Sequence, residues 1–258
     1  MYRQLFPRPE ERGSIIDKEN PLPLYCQLKD WLRGLIDDGV LGVDDQIPPE
    51  LTLCEELGLS RGTARQAINE LVNEGLLYRV QGHGTFVSGP KVQHSLGQRF
   101  TSLAEDMQEH KVPFQSKVLG CRLLQAGERR ATTKLQLEPS DQIVFLERLG
   151  CVEGEPIVLA VTYLPAGLCP DLPEEDLTNR SLYQVLEQRY GLRLSHATRT
   201  LELAPADEYE AQRLEIQKGD PIHLVRTIAY LEDGRPIEYS KLRFRGDRSS
   251  FVFEVHRA

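Results

Sequence analysis

ELTLCEELGLSRGTARQAINELVNEGLLYRVQGHGTFV, residues Glu50–Val87, is the stretch whose reading decides the fold of the first part of the chain. Leu51, Cys54 and Leu57 recur at spacings that place them on one helix face. Gly58 follows, a residue free to take the positive φ that closes a helix. Ser60 stands where an N-cap is wanted, and Arg61–Glu74 reads as a second helix. Ala64, Ala67 or Ile68, Leu71 and Val72 form its apolar stripe. Arg61, Thr63, Arg65, Gln66 and Asn69 fall elsewhere, mainly in its first half. Two short helices joined by a tight turn, the second opening with hydrogen-bond donors, form the helix-turn-helix arrangement that enters the DNA major groove. Arginine reads a guanine edge through two parallel hydrogen bonds, and glutamine reads adenine in the same way. After Gly75, Leu76–Val80 and Thr85–Val87 read as strands. Gln81, Gly82, His83 and Gly84 between them form a hairpin turn whose glycines supply positive φ. Such a tip can lay its backbone against phosphates. The candidate DNA contacts are therefore Arg61, Thr63, Arg65 and Gln66 on the second helix, with Gly82, His83 and Gly84 on the wing. Pattern alone also suits two amphipathic helices and a hairpin in any small domain.

Wider motifs decide between these readings. Pro23-Leu24-Tyr25, Gln27-Leu28, Ile47-Pro48 with Glu50, Leu59–Ala67, Glu74–Leu77 and Gln81–Val87 occur in order. Over residues 21–88 the chain closely resembles the GntR family of bacterial transcription regulators. Two positions depart from the pattern, Pro49 for a serine and Leu51 for an arginine. The resemblance makes that arginine a DNA contact, so one of the usual contacts is missing while the fold is kept.

The chain has 258 residues, enough for two domains with separate cores. Its hydrophobic content of 40% and charged content of 27% are those of a soluble globular protein. No apolar run approaches the ~20 residues of a membrane span, and the start, MYRQLFPRPEERGS, lacks an apolar leader. Cys26, Cys54, Cys121, Cys151 and Cys169 are odd in number and widely spaced, which predicts reduced thiols in the cytoplasm and no zinc site. Net charge is −8, and residues 21–90 carry five basic against ten acidic side chains. That balance weakens non-specific attraction to DNA and leaves base contacts to carry binding.

Residues 1–20 are polar with both charge signs and predict a mobile arm, onto which Leu5, Phe6, Ile15 and Ile16 offer docking points. Leu24–Asp37 predicts a helix with Leu24, Leu28, Leu32 or Trp31, and Leu35–Ile36 inward. Ser88–Arg99 lacks periodicity, so the DNA-binding part is taken as 21–88 and a linker as 89–99. Beyond it, Thr101–His110 reads as a helix starting at Thr101 or Ser102. Val118–Leu124 reads as a strand, Leu182–Tyr190 and Asp207–Leu214 as helices, and alternating Phe251, Phe253 and Val255 as a last strand. Residues 135–163 echo 214–242: Asp141 and Ile143 match Asp220 and Ile222, and Gly154, Pro156 and Ile157 match Gly234, Pro236 and Ile237 after a one-residue shift. Two such hairpins predict one antiparallel sheet with approximate internal two-fold symmetry, and the shift predicts a bulge. Phe100–Met107, Gly234–Ser240 and Arg245-Gly246-Asp247-Arg248 make residues 96–256 similar to the UTRA domain, the effector domain of the HutC subfamily.

The resemblance implies an effector pocket between the sheet and the domain's first helix, with Ser102, Arg148, Ser181 and Glu238 at matching positions. An arginine near a helix start suits an anion. Each residue also has a plainer role: Ser102 and Ser181 as N-caps, Arg148 as a surface side chain or as the partner of Glu238. Gly150, Ala160 and Phe244 replace an arginine, a glutamate and a tyrosine of the pattern. They predict a pocket with fewer polar groups, suited to a small carboxylate rather than a phosphorylated amino sugar. The expected whole is an α+β chain, a winged helix-turn-helix followed by a chorismate lyase-like UTRA domain at 100–258. It acts as a homodimeric regulator, a repressor released from double-stranded pseudo-palindromic operator DNA by a small anionic metabolite. No cofactor, metal, catalytic residue or membrane partner is expected. An enzyme on the UTRA fold and an effector-independent DNA-binding protein are the competing classes.

Overall fold

In the computed structural model, residues 2–6, 15–80, 82–96, 100–125 and 129–255 are described. The chain divides into two compact units, Met1–Lys91 and Val92–Ala258.

The first unit contains α1 (Leu24–Asp37), α2 (Glu50–Leu57), α3 (Arg61–Asn73) and a wing of β1 (Leu77–Val80) and β2 (Gly84–Val87). Leu28, Leu32, Leu53, Leu57, Ala64, Ile68, Leu71, Leu77 and Val87 share its core. Ser60 caps α3 by accepting from the Thr63 N–H at 3.1 Å, and Gly58 closes α2 at φ +63°. Ala67 and Ile68 are both buried, and Val72 is only partly so. One helix face differs from expectation. Leu53 and Leu57, one turn apart, are the buried pair of α2, and Leu51 is 50% exposed. Starting at Glu50 after Pro49, α2 turns the Leu53–Leu57 edge onto α3, and Leu51 lies off that edge.

The expected mobile arm is docked where it is described. Phe6 and Ile16 are buried, with the Phe6 ring 5.3 Å from Trp31. The buried Gln27 amide accepts from the Asp17 N–H at 2.7 Å and donates to the carbonyls of Asp17 and Leu22. Residues 7–14 of that expectation lie outside the described residues.

The second unit is built on a six-stranded antiparallel sheet. Its strands are β4 (Phe114–Gln125), β5 (Gln142–Val152), β6 (Glu155–Pro165), β7 (Leu194–Pro205), β8 (Pro221–Leu231) and β9 (Pro236–Arg245), in the order β4-β5-β6-β9-β8-β7. Exchanging the two halves maps this order onto itself, which is the two-fold relation expected from the repeat. Each repeated hairpin carries a register shift, at Gly150/Cys151 and at Ala229/Tyr230. Helices α4 (Leu103–Glu109), α5 (Arg129–Lys134), α6 (Leu182–Tyr190) and α7 (Glu208–Leu214) complete the unit.

Two boundaries move and one strand is added. Within the expected linker, Val92–His94 forms β3, paired in parallel with β10 (Ser249–Phe251). His94 is fully buried, 4.5 Å from the Phe244 ring and 5.2 Å from Phe251, so the second core already includes it. Residues 97–99 of the expected linker lie outside the described residues. The last strand ends at Phe251, and Phe253 and Val255 beyond it are exposed. The twelve-residue β7, which the sequence reading did not identify, is a sheet edge.

Candidate functional site

Two sites follow, one in each unit. On α3, Arg61, Arg65, Gln66 and Asn69 are exposed, opposite the buried Ala64, Ala67, Ile68 and Leu71. Thr63 is half-buried, with its hydroxyl 2.8 Å from Ser60 Oγ. Arg65 is already held: its Nε and Nη2 lie 3.3 and 3.2 Å from Glu50 Oε2. Arg79 of β1 approaches Glu50 Oε1 at 3.7 Å. Glu50 and Arg79 were missed in the sequence because the first was read only as a motif letter and the second as a strand residue.

At the wing tip, Gly82, His83 and Gly84 are exposed. Gly82 takes φ +77° in open space, so its requirement is conformational. Gly84 takes φ +133°, and a Cβ there would overlap Gln46 Nε2, which donates to the His83 carbonyl at 2.7 Å. Gly84→Val is expected to weaken DNA binding about tenfold, a factor equal to ~1.4 kcal/mol and comparable with the strain of a left-handed non-glycine residue. Gel-shift titration with circular dichroism checks this. Full affinity in a folded variant would mean that the wing does not engage DNA.

The second site is a cavity between the sheet and the starts of α4 and α6. Ser102, Arg148 and Glu238 all line it, as the sequence reading requires. Ser181 stands behind Ser102 instead. Its hydroxyl lies 3.0 Å from Ser102 Oγ, donates to Glu105 Oε1 and caps α6 by accepting from the Gln184 N–H. Ser102 caps α4 in a capping box with Glu105. Both serines therefore have the capping role, and Ser102 also borders the cavity.

Glu238, 5% exposed, accepts from the Tyr183 hydroxyl at 2.7 Å. Burial and the Glu238 charge hold Tyr183 well above the usual phenol range, so it stays a donor; Arg199 opposes them. Arg148 Nη1 donates to the Arg180 carbonyl at 3.2 Å. Burial pushes the Arg148 guanidinium pKa down, and the nearby Glu238 charge opposes that shift. An arginine desolvated in this way gains from an anion brought beside it.

The cavity also carries polar residues beyond those named from the sequence. Ser116, Thr162, Thr227 and Ser240 line it. Ser240 Oγ is buried without a hydrogen-bond partner, a cost that a bound ligand would relieve. Phe244 is absent from the lining and packs with His94 and Phe251. Gly150 answers a packing demand: a Cβ there would lie 2.5 Å from the Phe114 ring and 2.6 Å from Val158. Of the three departures, Gly150 and Ala160 line the cavity and Phe244 does not. Period-2 alternation on β6, β8 and β9 could have revealed Thr162, Thr227 and Ser240, had the inward face been known. Arg199, on β7, also lines the cavity and donates to the Thr101 carbonyl at 2.6 Å and to the Leu96 carbonyl.

Comparison with known proteins identifies the two domains. Residues 24–87 match the family model described as bacterial regulatory proteins, gntR family, and residues 109–250 match the UTRA domain. The chain is similar to the HTH-type transcriptional repressor NagR of Bacillus subtilis (strain 168), at 36% identity over 242 residues, 94% of this chain and 98% of that protein. It is 32% identical over 236 residues to the mannosyl-D-glycerate transport/metabolism system repressor MngR of Escherichia coli (strain K12), covering 91% of this chain and 97% of that one. Among solved structures it resembles PhnF from Mycobacterium smegmatis, with TM-score 0.61, 25% identity, and coverage of 89% and 99%.

Proposed function

The chain belongs to the GntR family of bacterial transcription regulators, in the HutC subfamily that joins a winged helix-turn-helix to a UTRA domain, and from that membership we propose a specific mode of action. It is a DNA-binding, ligand-responsive repressor rather than an enzyme. Arg61, Thr63, Arg65 and Gln66 read the operator, and the Gly82–Gly84 wing tip rests on its backbone. The effector is a small hydroxylated anion, a sugar acid or sugar phosphate. Arg148 takes its charge, and the hydroxyls around Ser240 take its own hydroxyls. The carrying observation is the orphaned, buried Ser240 hydroxyl in the same cavity as Arg148. A relative named for mannosyl-D-glycerate, which bears a carboxylate and several hydroxyls, supports this class.

Occupancy is coupled to Ser95, Leu96 and Thr101, near the start of the second unit. Arg199 borders the cavity and holds the Leu96 and Thr101 carbonyls. Asp106 of α4 accepts from the Ser95 N–H at 3.0 Å. A ligand that draws Arg199 or moves the start of α4 changes the tether on this segment, and a differential affinity of that kind is what shifts the population of a bound state. The site acts in the cytoplasm, where the operator is.

The repressor works as a homodimer on two half-sites about one helical turn apart. Exposed Leu201 and Leu203 on the edge strand β7 support association through the second unit. Sedimentation is expected to show a dimer at micromolar concentration, and a monomer both free and on DNA would overturn it. Calorimetry with sugar phosphates, sugar acids and simple carboxylates, followed by release of DNA in a gel shift, tests the effector class. An uncharged parent sugar is added to the same panel, and its binding most tightly would refute the class.

A further inference from the structure

Glu50 places one carboxylate between two DNA-facing elements. It is the first residue of α2, held there by the buried Leu53 and Leu57. Its Oε2 takes Nε and Nη2 of Arg65 on α3 at 3.3 and 3.2 Å, and its Oε1 lies 3.7 Å from Nη2 of Arg79 on β1. The Arg65 and Arg79 side chains are 64% and 38% exposed, whereas Glu50 is 31% exposed. The guanidinium is a planar fork with five N–H donors. A carboxylate on the Nε/Nη2 side leaves the terminal Nη1/Nη2 edge free. That edge is the one that can pair end-on with O6 and N7 of guanine.

We propose that Glu50 is a positioning residue for sequence readout: it orients Arg65 end-on towards a base edge and ties the wing arginine Arg79 to the same frame. The proposal rests on the DNA-reading function above. Two physical consequences follow, of opposite sign. Holding a long exposed side chain in advance removes rotamer freedom that binding would otherwise have to remove, which favours the specific complex. The carboxylate charge itself repels phosphates and weakens binding to any duplex. A glutamate serving only the α2 start, where a negative charge favours the helix dipole, would repel phosphates as well but leave discrimination between duplexes unchanged.

The test uses the full chain. Duplexes are selected from a randomised library by the wild-type protein. Affinities are then measured for the selected duplex and for a scrambled one across a salt series. Glu50→Gln keeps the side-chain size and removes the charge. It is expected to lower discrimination between the two duplexes about tenfold, while scrambled-duplex affinity stays equal or rises, most at low salt. Glu50→Asp keeps the charge and withdraws the carboxylate by one methylene. It is expected to lose discrimination without that rise, and it carries the test should the glutamine variant fold poorly. Unchanged discrimination in a folded variant, or an equal fall on both duplexes, overturns the proposal. A wild-type chain that selects no sequence removes the DNA-reading premise, and the proposal falls with it.

Discussion

Arg65→Ala is expected to weaken binding to the selected operator by tenfold to a hundredfold, with a smaller loss on scrambled DNA. One bidentate arginine–guanine pair contributes ~1–3 kcal/mol of discrimination. Arg65 is the exposed arginine of α3 that already has an ordering partner. Its removal also leaves the Glu50 carboxylate facing the duplex with one counter-charge fewer, which adds to the loss. Folding should be unaffected, because the buried face of α3 is Ala64, Ala67, Ile68 and Leu71 and none of these changes. Fluorescence anisotropy on both duplexes, with a thermal melt of the free protein, decides the matter. Unchanged operator affinity would remove Arg65 from the reading surface.

The second large effect is expected at Arg148. Arg148→Ala should leave operator binding intact and abolish release by the effector. A charge-assisted hydrogen bond contributes ~1.5–3 kcal/mol, and an arginine can make two to one anionic group. Effector affinity should therefore fall by two orders of magnitude or more. The surroundings sharpen the expectation. Glu238, already bonded to Tyr183, would then meet the incoming anion without the Arg148 charge beside it, and it repels it. Calorimetry of wild type and variant with the best-binding anion measures this, and gel-shift release measures its consequence. A variant that still binds and responds would show that the anion is held elsewhere in the cavity.

Reading the chain before seeing its fold succeeded where information is local. The N-cap at Ser60, the αL close at Gly58 and the stripe from Ala64 to Leu71 follow from one helix and its ends. The same holds for α1, at Leu24–Asp37, and for α6, at Leu182–Tyr190. The repeat carried the sheet's symmetry because both halves wrote the same hairpin. Local reading misplaced Leu51, since α2 has two candidate faces and a partner helix chooses between them. The β7 strand was invisible for a related reason. LSHATRTLELAP pairs on one side only, and its exposed positions mix polar and apolar residues, so no burial pattern marks it.

The pair of folds and the exposed face of α3 were legible in the sequence, and the resemblance to the UTRA domain grouped Ser102, Arg148 and Glu238 around one cavity. These rest on periodicity, caps and spaced motifs, which act over a few residues or recur in order. Long-range packing settled how those groups are shared out. It gave Glu50 to Arg65 and Arg79, Tyr183 to Glu238 and Ser181 to Ser102, contacts across 15, 29, 55 and 79 positions of chain. It also moved Phe244 out of the cavity and brought Thr162, Thr227 and Ser240 into it. A side chain's partner depends on which strands lie side by side and which way each is turned. That is settled by long-range pairing and packing, and a one-residue shift of register reverses every face.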